Sequence, residues 1–280
     1  MEKLTKLGVV TTEMANGNAM LQERKDTPRT LHVVFITAHP GDFEQKAGGT
    51  AFLLSRAGHA VTAISLTNGE AVSDKHHPEI MGDIRKKESL LAADVLGARH
   101  RSLHLPDAHI FPTLDLRQLL VQELRELAEE TGQEADIVVT HPAWNDYMDD
   151  HSFAGAMVEG AVQYAGIPRA ETLRPTIPTK KKIALYSFDT EASLGRLRQY
   201  SRAGVIVDVS DREVWQKKMS AFRAHESQRE HIMTTITQAI ARGHQVDIRF
   251  GEAFTQVGYP IYNSRNLLAE ALPGYAYPMP

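Results

Sequence analysis

The sequence predicts an α/β fold: a doubly wound, mainly parallel sheet with helices on both faces. Two observations carry that expectation. Short apolar runs recur between amphipathic stretches of helical spacing, and the links between them are short. The runs are also apolar throughout rather than alternating, as strands covered on both faces must be.

Taken in order, "LHVVFITA" (31–38) reads as the first strand and residues 43–58 as a helix stopped by Gly58. "HAVTAISLT" (59–67) is the second strand. A helix over 79–96 follows, with Ile80, Ile84, Leu91 and Val95 as its apolar face and Gly97 as its stop. "HRSLHL" (100–105) is a weaker strand. Leu116, Leu119, Leu120, Leu124 and Leu127 mark a third helix ending near Gly132, and "DIVVTH" (136–141) is the fourth strand. The Pro- and Lys-rich stretch 166–182 reads as a loop, its Lys run a solvated entry to the strand "IALYSF" (183–188). "VIVDV" (205–209) is a later strand of the same sheet. Ser210 and Glu213 form a capping-box pattern for one long helix over 211–242. "LPGYAYPMP" at the end is too rich in Pro and Gly for regular structure. Residues 1–30 read as an irregular N-terminal arm, and 31–280 as a single α/β domain with a C-terminal helix and tail.

Composition narrows the function. A formal charge of −4 gives no broad pull toward nucleic acid or an anionic membrane. No run approaches the ~18 apolar residues of a membrane-spanning helix. The first 30 residues carry no continuous apolar core of the kind a secretory signal needs. With no cysteine in the chain, a transition-metal site must be built from His and carboxylates. These features suit a cytoplasmic protein acting on a small molecule, and they leave a homo-oligomer open.

"ITAHPGDFEQKAGGT" (36–50) lies where a strand turns into a helix, at the carboxyl edge of the sheet where ligands collect. Pro40 biases His39 toward extended backbone, and Gly41 permits a tight turn. Asp42 and Glu44 then fall at the start of a helix, where backbone dipoles favour negative charge. Taken alone, His-x-x-Asp here is an ordinary helix-capping arrangement. "DYMDDH" places Asp149, Asp150 and His151 just beyond the fourth strand, whose loop can neighbour the first. His39, Asp42 and His151 would then supply three ligands of a catalytic zinc site, with the fourth position left for water. Asp150 could orient a ligand or handle a proton. The alternative is that this stretch only caps the following helix.

At these residues the chain resembles the LmbE/PIG-L family of metal-dependent N-deacetylases, whose signature is a strand followed by Ala-His-Pro-Asp-Asp-Glu. Here Ala38-His39-Pro40-Gly41-Asp42-Phe43-Glu44 stands in that place. Gly48-Gly49, Thr67-Asn68-Gly69-Glu70, Arg85 with Glu88, Leu96-Gly97 and Asp150-His151 follow in the family's order. "VDVSDREVWQKKMSAFRAHESQ" continues the likeness weakly, through His225. The resemblance implies an LmbE-like fold, zinc bound by His39, Asp42 and His151, and attack of an activated water on an acetamide carbonyl. It also sets Arg85 near the active site. Read without it, Arg85 makes a surface ion pair with Glu88, worth a few tenths of a kcal/mol.

Gly41 departs from that pattern, because the family's expected general base is the Asp at this position. A positioned base contributes ~10²–10⁴-fold, and glycine supplies none. A second family His, three residues before the metal His, is here Met148. Glu44, Asp150, Asp149 or His141 could take over as base, with Asp146 or Tyr147 assisting. Alternatively the reaction has changed, since the 4-oxalomesaconate hydratase branch of the superfamily also lacks the first Asp and keeps Asp-Phe followed by Ala-Gly-Gly, as in Asp42-Phe43 and Ala47-Gly48-Gly49.

The leading expectation is therefore a zinc-dependent hydrolase removing an N-acyl group, acetyl above all, from a small amino sugar or related amide. Its catalytic candidates are Asp150, Glu44 and Arg85. The alternative is a zinc-dependent hydratase or lyase acting on an unsaturated carboxylic acid. A non-catalytic metal- or ligand-binding homologue is the third reading.

Overall fold

The computed structural model describes residues 29–72, 75–189, 203–258 and 266–279. The expected N-terminal arm lies outside the described residues, apart from its last two. Strands β1 (His32–Thr37), β2 (Ala60–Thr67), β3 (Arg99–Leu105), β4 (Ile137–Thr140) and β5 (Ala184–Phe188) form a parallel sheet in the order β3-β2-β1-β4-β5. Three more strands extend it antiparallel beyond β5: β6 (Val205–Asp208), β7 (Gly251–Val257) and β8 (Ala276–Pro278), in the order β7-β6-β8. The sheet is thus mixed and mostly parallel.

Along β1 successive side chains enter opposite layers, as a strand's two-residue period requires. Val33 and Phe35 join the cluster beneath α1 (Asp42–Arg56), α2 (Pro78–Leu96), α5 (Arg212–Ala224) and α6 (Ile232–Gly243). Val34 and Ile36 join the cluster beneath α3 (Leu114–Thr131) and α4 (Asp149–Tyr164). All four are fully buried, so truncating Ile36 to Ala would cost about 2–5 kcal/mol in lost transfer energy and cavity. No helix among the described residues is long and apolar enough to cross a membrane.

Several expectations are corrected here. Helix α2 buries its expected stripe only in part: Ile84 and Val95 are half-buried, with Val95 packed on the core, but Ile80 and Leu91 are exposed, while Met81, Arg85, Glu88, Ser89, Ala92 and Leu96 are buried. Arg85 and Glu88 make that buried face semi-polar, so apolar periodicity found only one edge of it. The helix expected over 211–242 is broken. α5 ends at Ala224, a 3-10 segment spans Glu226–His231, and α6 follows. The break lets His225 turn inward to 3.3 Å from Glu44, and Glu88 accepts hydrogen bonds from the Ser227 N–H and hydroxyl. The cap of α5 is Asp211, which accepts from Glu213 and Val214 N–H, whereas Ser210 bonds the Phe250 backbone. The tail holds a short helix, α7 (Leu267–Ala271), and strand β8, which finds backbone partners on β6. The 166–182 stretch is a loop as expected, strapped to α3. Arg174 pairs with Glu126, the Ile177 N–H donates to Glu129, and the Lys180 and Lys181 N–H groups donate to Glu134.

Candidate metal centre

Because β1 and β4 are neighbours in the sheet, the loops leaving their carboxyl ends meet. After β1 the chain turns through Gly41, whose φ of 95° lies in the left-handed region that favours glycine. This turn sets Asp42 at the first position of α1, where Oδ2 accepts the His39 N–H at 2.9 Å. From β4 the chain runs past His141 into α4, placing His151 in that helix's first turn. One turn further on, a Cβ at Gly155 would lie 2.3 Å from the His141 carbonyl oxygen. A glycine there lets α4 approach the strand end, and the His141 and His151 rings stack at 4.1 Å.

His39 Nδ1 lies 3.2 Å from His151 Nε2, and Asp42 Oδ2 is 3.5 Å from each of those nitrogens. Ligands bound tetrahedrally at ~2.0–2.2 Å stand ~3.3–3.5 Å apart, so this triangle has the dimensions of three zinc ligands. All three residues are buried, and together they are one of three His/Asp groups among the described residues spaced to hold a metal ion. The other two are His141-Asp146-His151 and His39-Asp107-Asp150. The donor set of two imidazoles and one carboxylate suits zinc or a similar divalent ion.

The electrostatics favour a cation. Burial would raise the Asp42 pKa, but His151, His141 and His39 outweigh it and hold the carboxyl well below its ordinary value. Burial would lower the His39 pKa, but Asp107, Asp150 and Asp42 raise it well above 6.5. Asp146 is held down at about 2: burial would raise it, and His151 outweighs that. Its Oδ1 lies 3.3 Å from His151 Nδ1, an ion-pair contact rather than an aligned hydrogen bond, and it orients that ring. Burial and the neighbouring His151 lower His141 to about 4. Its Nε2 lies 3.1 Å from the Ala38 N–H and 3.3 Å from Asp42 Oδ2. One nitrogen cannot accept and donate at once; the main-chain N–H has no alternative role, so the neutral ring accepts it.

The triangle opens on a cavity of about 610 Å³, whose walls include Gln45, Val72, Arg85, Tyr147, Asp150 and Gln228. Arg85 is buried and donates to the Gly69 and Pro40 carbonyls at 2.8 and 2.7 Å, tying the loops after β1 and β2 together. The surface pair with Glu88 is therefore corrected: both residues are buried, and Glu88 serves Ser227. Asp150 lies at the cavity, with Oδ2 3.2 Å from His39 Nε2. Glu44 is buried against His225, behind Gly41, and is not among the residues lining the cavity.

The sequence did not single out Asp107, and it offered Asp146 only as an assistant to the reaction. Asp107 reaches His39 Nε2 at 3.1 Å from the loop after β3, and Asp146 backs His151. Their signal was place: an Asp just past the carboxyl end of a parallel strand belongs to the edge where ligands bind.

Residues 34–162 match the family model PIG-L, described as GlcNAc-PI de-N-acetylase. The 4-oxalmesaconate hydratase of Pseudomonas putida is 25% identical over 249 residues, spanning 86% of this chain and 90% of that protein. Among solved structures, the N,N'-diacetylchitobiose deacetylase of Pyrococcus horikoshii matches with a TM-score of 0.69 and 22% identity, covering 84% of this chain and 86% of that one. GalB, the 4-carboxy-2-hydroxymuconate hydratase of Pseudomonas putida, matches with a TM-score of 0.68 and 20% identity over 82% and 97%. With its residues 34–162 enclosing the His39, Asp42 and His151 triangle, the chain carries a domain of the PIG-L/LmbE family.

Proposed function

We propose that this protein is a metal-dependent enzyme that hydrolyses an N-acyl group, acetyl above all, from a small amino sugar or related amide in the cytoplasm. The observation that carries the reading is the buried triangle of His39 Nδ1, Asp42 Oδ2 and His151 Nε2 at the floor of the cavity. A zinc ion in that triangle would supply an activated water and a Lewis acid for the acyl oxygen. Asp150, at the cavity and beside His39, is the carboxylate assigned to take the proton that Gly41 cannot. Arg85 holds the two loops that frame the triangle, and Gln45, Gln228 and Tyr147 offer polar contacts to a hydroxyl-rich substrate.

The charge of the walls supports a neutral substrate and an amine product. Among the described lining residues Asp42, Asp107, Asp149 and Asp150 face one arginine, Arg85, which already serves two carbonyls. A divalent ion in the triangle would offset two of those charges, so what disfavours a polycarboxylate is the lack of a free arginine or lysine among the described lining residues to pair its further carboxylates. The hydratase or lyase reading stands second and rests on Gly41, since addition of water to an electron-poor double bond has no amine to expel and so needs no group to carry a proton to a leaving nitrogen. The near full-length likeness to a hydratase favours it too. The two part in one assay of zinc-loaded protein against N-acetylated sugars and unsaturated dicarboxylates. Release of primary amine supports the hydrolase; loss of conjugated-acid absorbance without amine overturns it for the hydratase.

A further inference from the structure

His39 presents both ring nitrogens to acidic partners, and the nitrogen facing away from the triangle is crowded. Its Nε2 lies 3.1 Å from Asp107 Oδ1, the shorter contact but only an ion-pair one, and 3.2 Å from Asp150 Oδ2, the better aligned. One N–H cannot serve two carboxylates equally, so their own anchoring decides between them. Asp107 is fixed on every side: Oδ2 accepts the Ala71 N–H at 2.9 Å, Oδ1 accepts the Ala108 N–H at 2.9 Å, and its own N–H donates to Glu70 at 2.9 Å. The next residue, Ala108, has a φ of 61°, a left-handed conformation that a non-glycine residue adopts at some cost. Asp150 sits in the first turn of α4 and faces the cavity.

We propose that Asp107 is the positioning residue that locks the tautomer of His39, keeping the proton on Nε2 so that Nδ1 is the metal-binding atom. This rests on the triangle being a metal site. An acceptor-only group is required at 107. Both carboxylate oxygens already take backbone N–H groups, and a His39 N–H turned to Oδ1 would add a third, which a carboxylate's lone pairs accommodate. Asparagine has one acceptor oxygen. Its NH₂ would have to point at a backbone N–H or at His39 Nε2, and the second arrangement favours the tautomer that puts the proton on the wrong nitrogen. Because Asp107 also holds Ala71, whose neighbour Val72 lines the cavity, it couples the metal site to the cavity wall. With Asp107 holding the ring, Asp150 keeps an oxygen for the cavity.

The experiment compares the wild type with Asp107→Asn. Zinc affinity is measured by competition with a chromophoric chelator, and the ligand field from the visible spectrum of the cobalt-substituted protein. Asp107→Asn is expected to bind zinc about 10–100-fold more weakly, the range found when partners of ligating histidines are removed, and to shift the cobalt bands. Should the variant not fold, histidine ¹⁵N NMR of the zinc-loaded wild type decides alone: the proposal expects His39 protonated on Nε2 with zinc at Nδ1. Unchanged affinity and spectrum, zinc at Nε2, or a second zinc per chain that Asp107→Asn abolishes would overturn it. No zinc in the folded wild type would instead overturn the metal site itself.

Discussion

A side chain at position 41 would have room. A Cβ built on Gly41 meets Gln228 and His225 carbons at 3.7 and 3.8 Å, ordinary van der Waals contact. What glycine provides is the backbone, with φ at 95°. Gly41→Asp is therefore expected to fold, to lose about 1–2 kcal/mol to backbone strain, and to raise amine release about tenfold or more by restoring a carboxylate beside the triangle. Thermal unfolding and the amine assay check both parts; a folded, zinc-loaded variant with no gain would show that the missing base does not limit the reaction. At this scale the sequence was most legible where chemistry and turn geometry coincide: His39, Asp42 and His151 sit beside a Pro-Gly turn and a helix start. Asp107 was not legible, because its partner is set by the register that pairs Thr67 with Leu105 and brings the β3 loop over the β1 loop. Glu44, a catalytic candidate in the sequence, lies off the cavity because α5 breaks to place His225 against it, which nothing local showed.

The elements around the site are held by a buried ion pair. Lys218 on α5 donates to Glu252 on β7 at 2.6 Å and to the Gln45 carbonyl of α1 at 2.6 Å. Glu252 in turn accepts the Gly49 and Thr50 N–H groups and the Thr50 hydroxyl. Both side chains are almost wholly buried. Removing one partner strands a charge, so Lys218→Met should destabilise by about 3–5 kcal/mol, and adding Glu252→Gln should recover part of that. Denaturant unfolding of the single and double variants tests this; equal losses would mean that packing, not charge, matters there. The parallel strands and the helices between them were readable from long apolar runs. β7 and β8 were not, since "GEAFTQV" is interrupted by Glu252, Thr255 and Gln256 in no strand period and "AYP" is paired to β6 through its backbone. The inward face of α2 was read only in part for a physical reason: Arg85 and Glu88 are buried by partners from distant segments, which periodicity cannot see.

Across the molecule, the parallel half of the sheet carries the site at its carboxyl edge, and the antiparallel extension supplies Glu252 and, with α5 and the 3-10 segment, the wall beside Gly41. The whole arrangement converges on one electrostatic fact. Asp42, Asp107, Asp146 and Asp150 are buried within hydrogen-bonding or ion-pair reach of His39 and His151, a concentration of negative charge that a divalent cation would stabilise. The measurement that tests this most directly is the zinc content of protein purified without chelator, beside His39→Ala and His151→Ala. About one zinc per chain is expected in the wild type, with loss of that metal in both folded variants. A folded wild type that takes up no zinc or other divalent metal when it is supplied would contradict it.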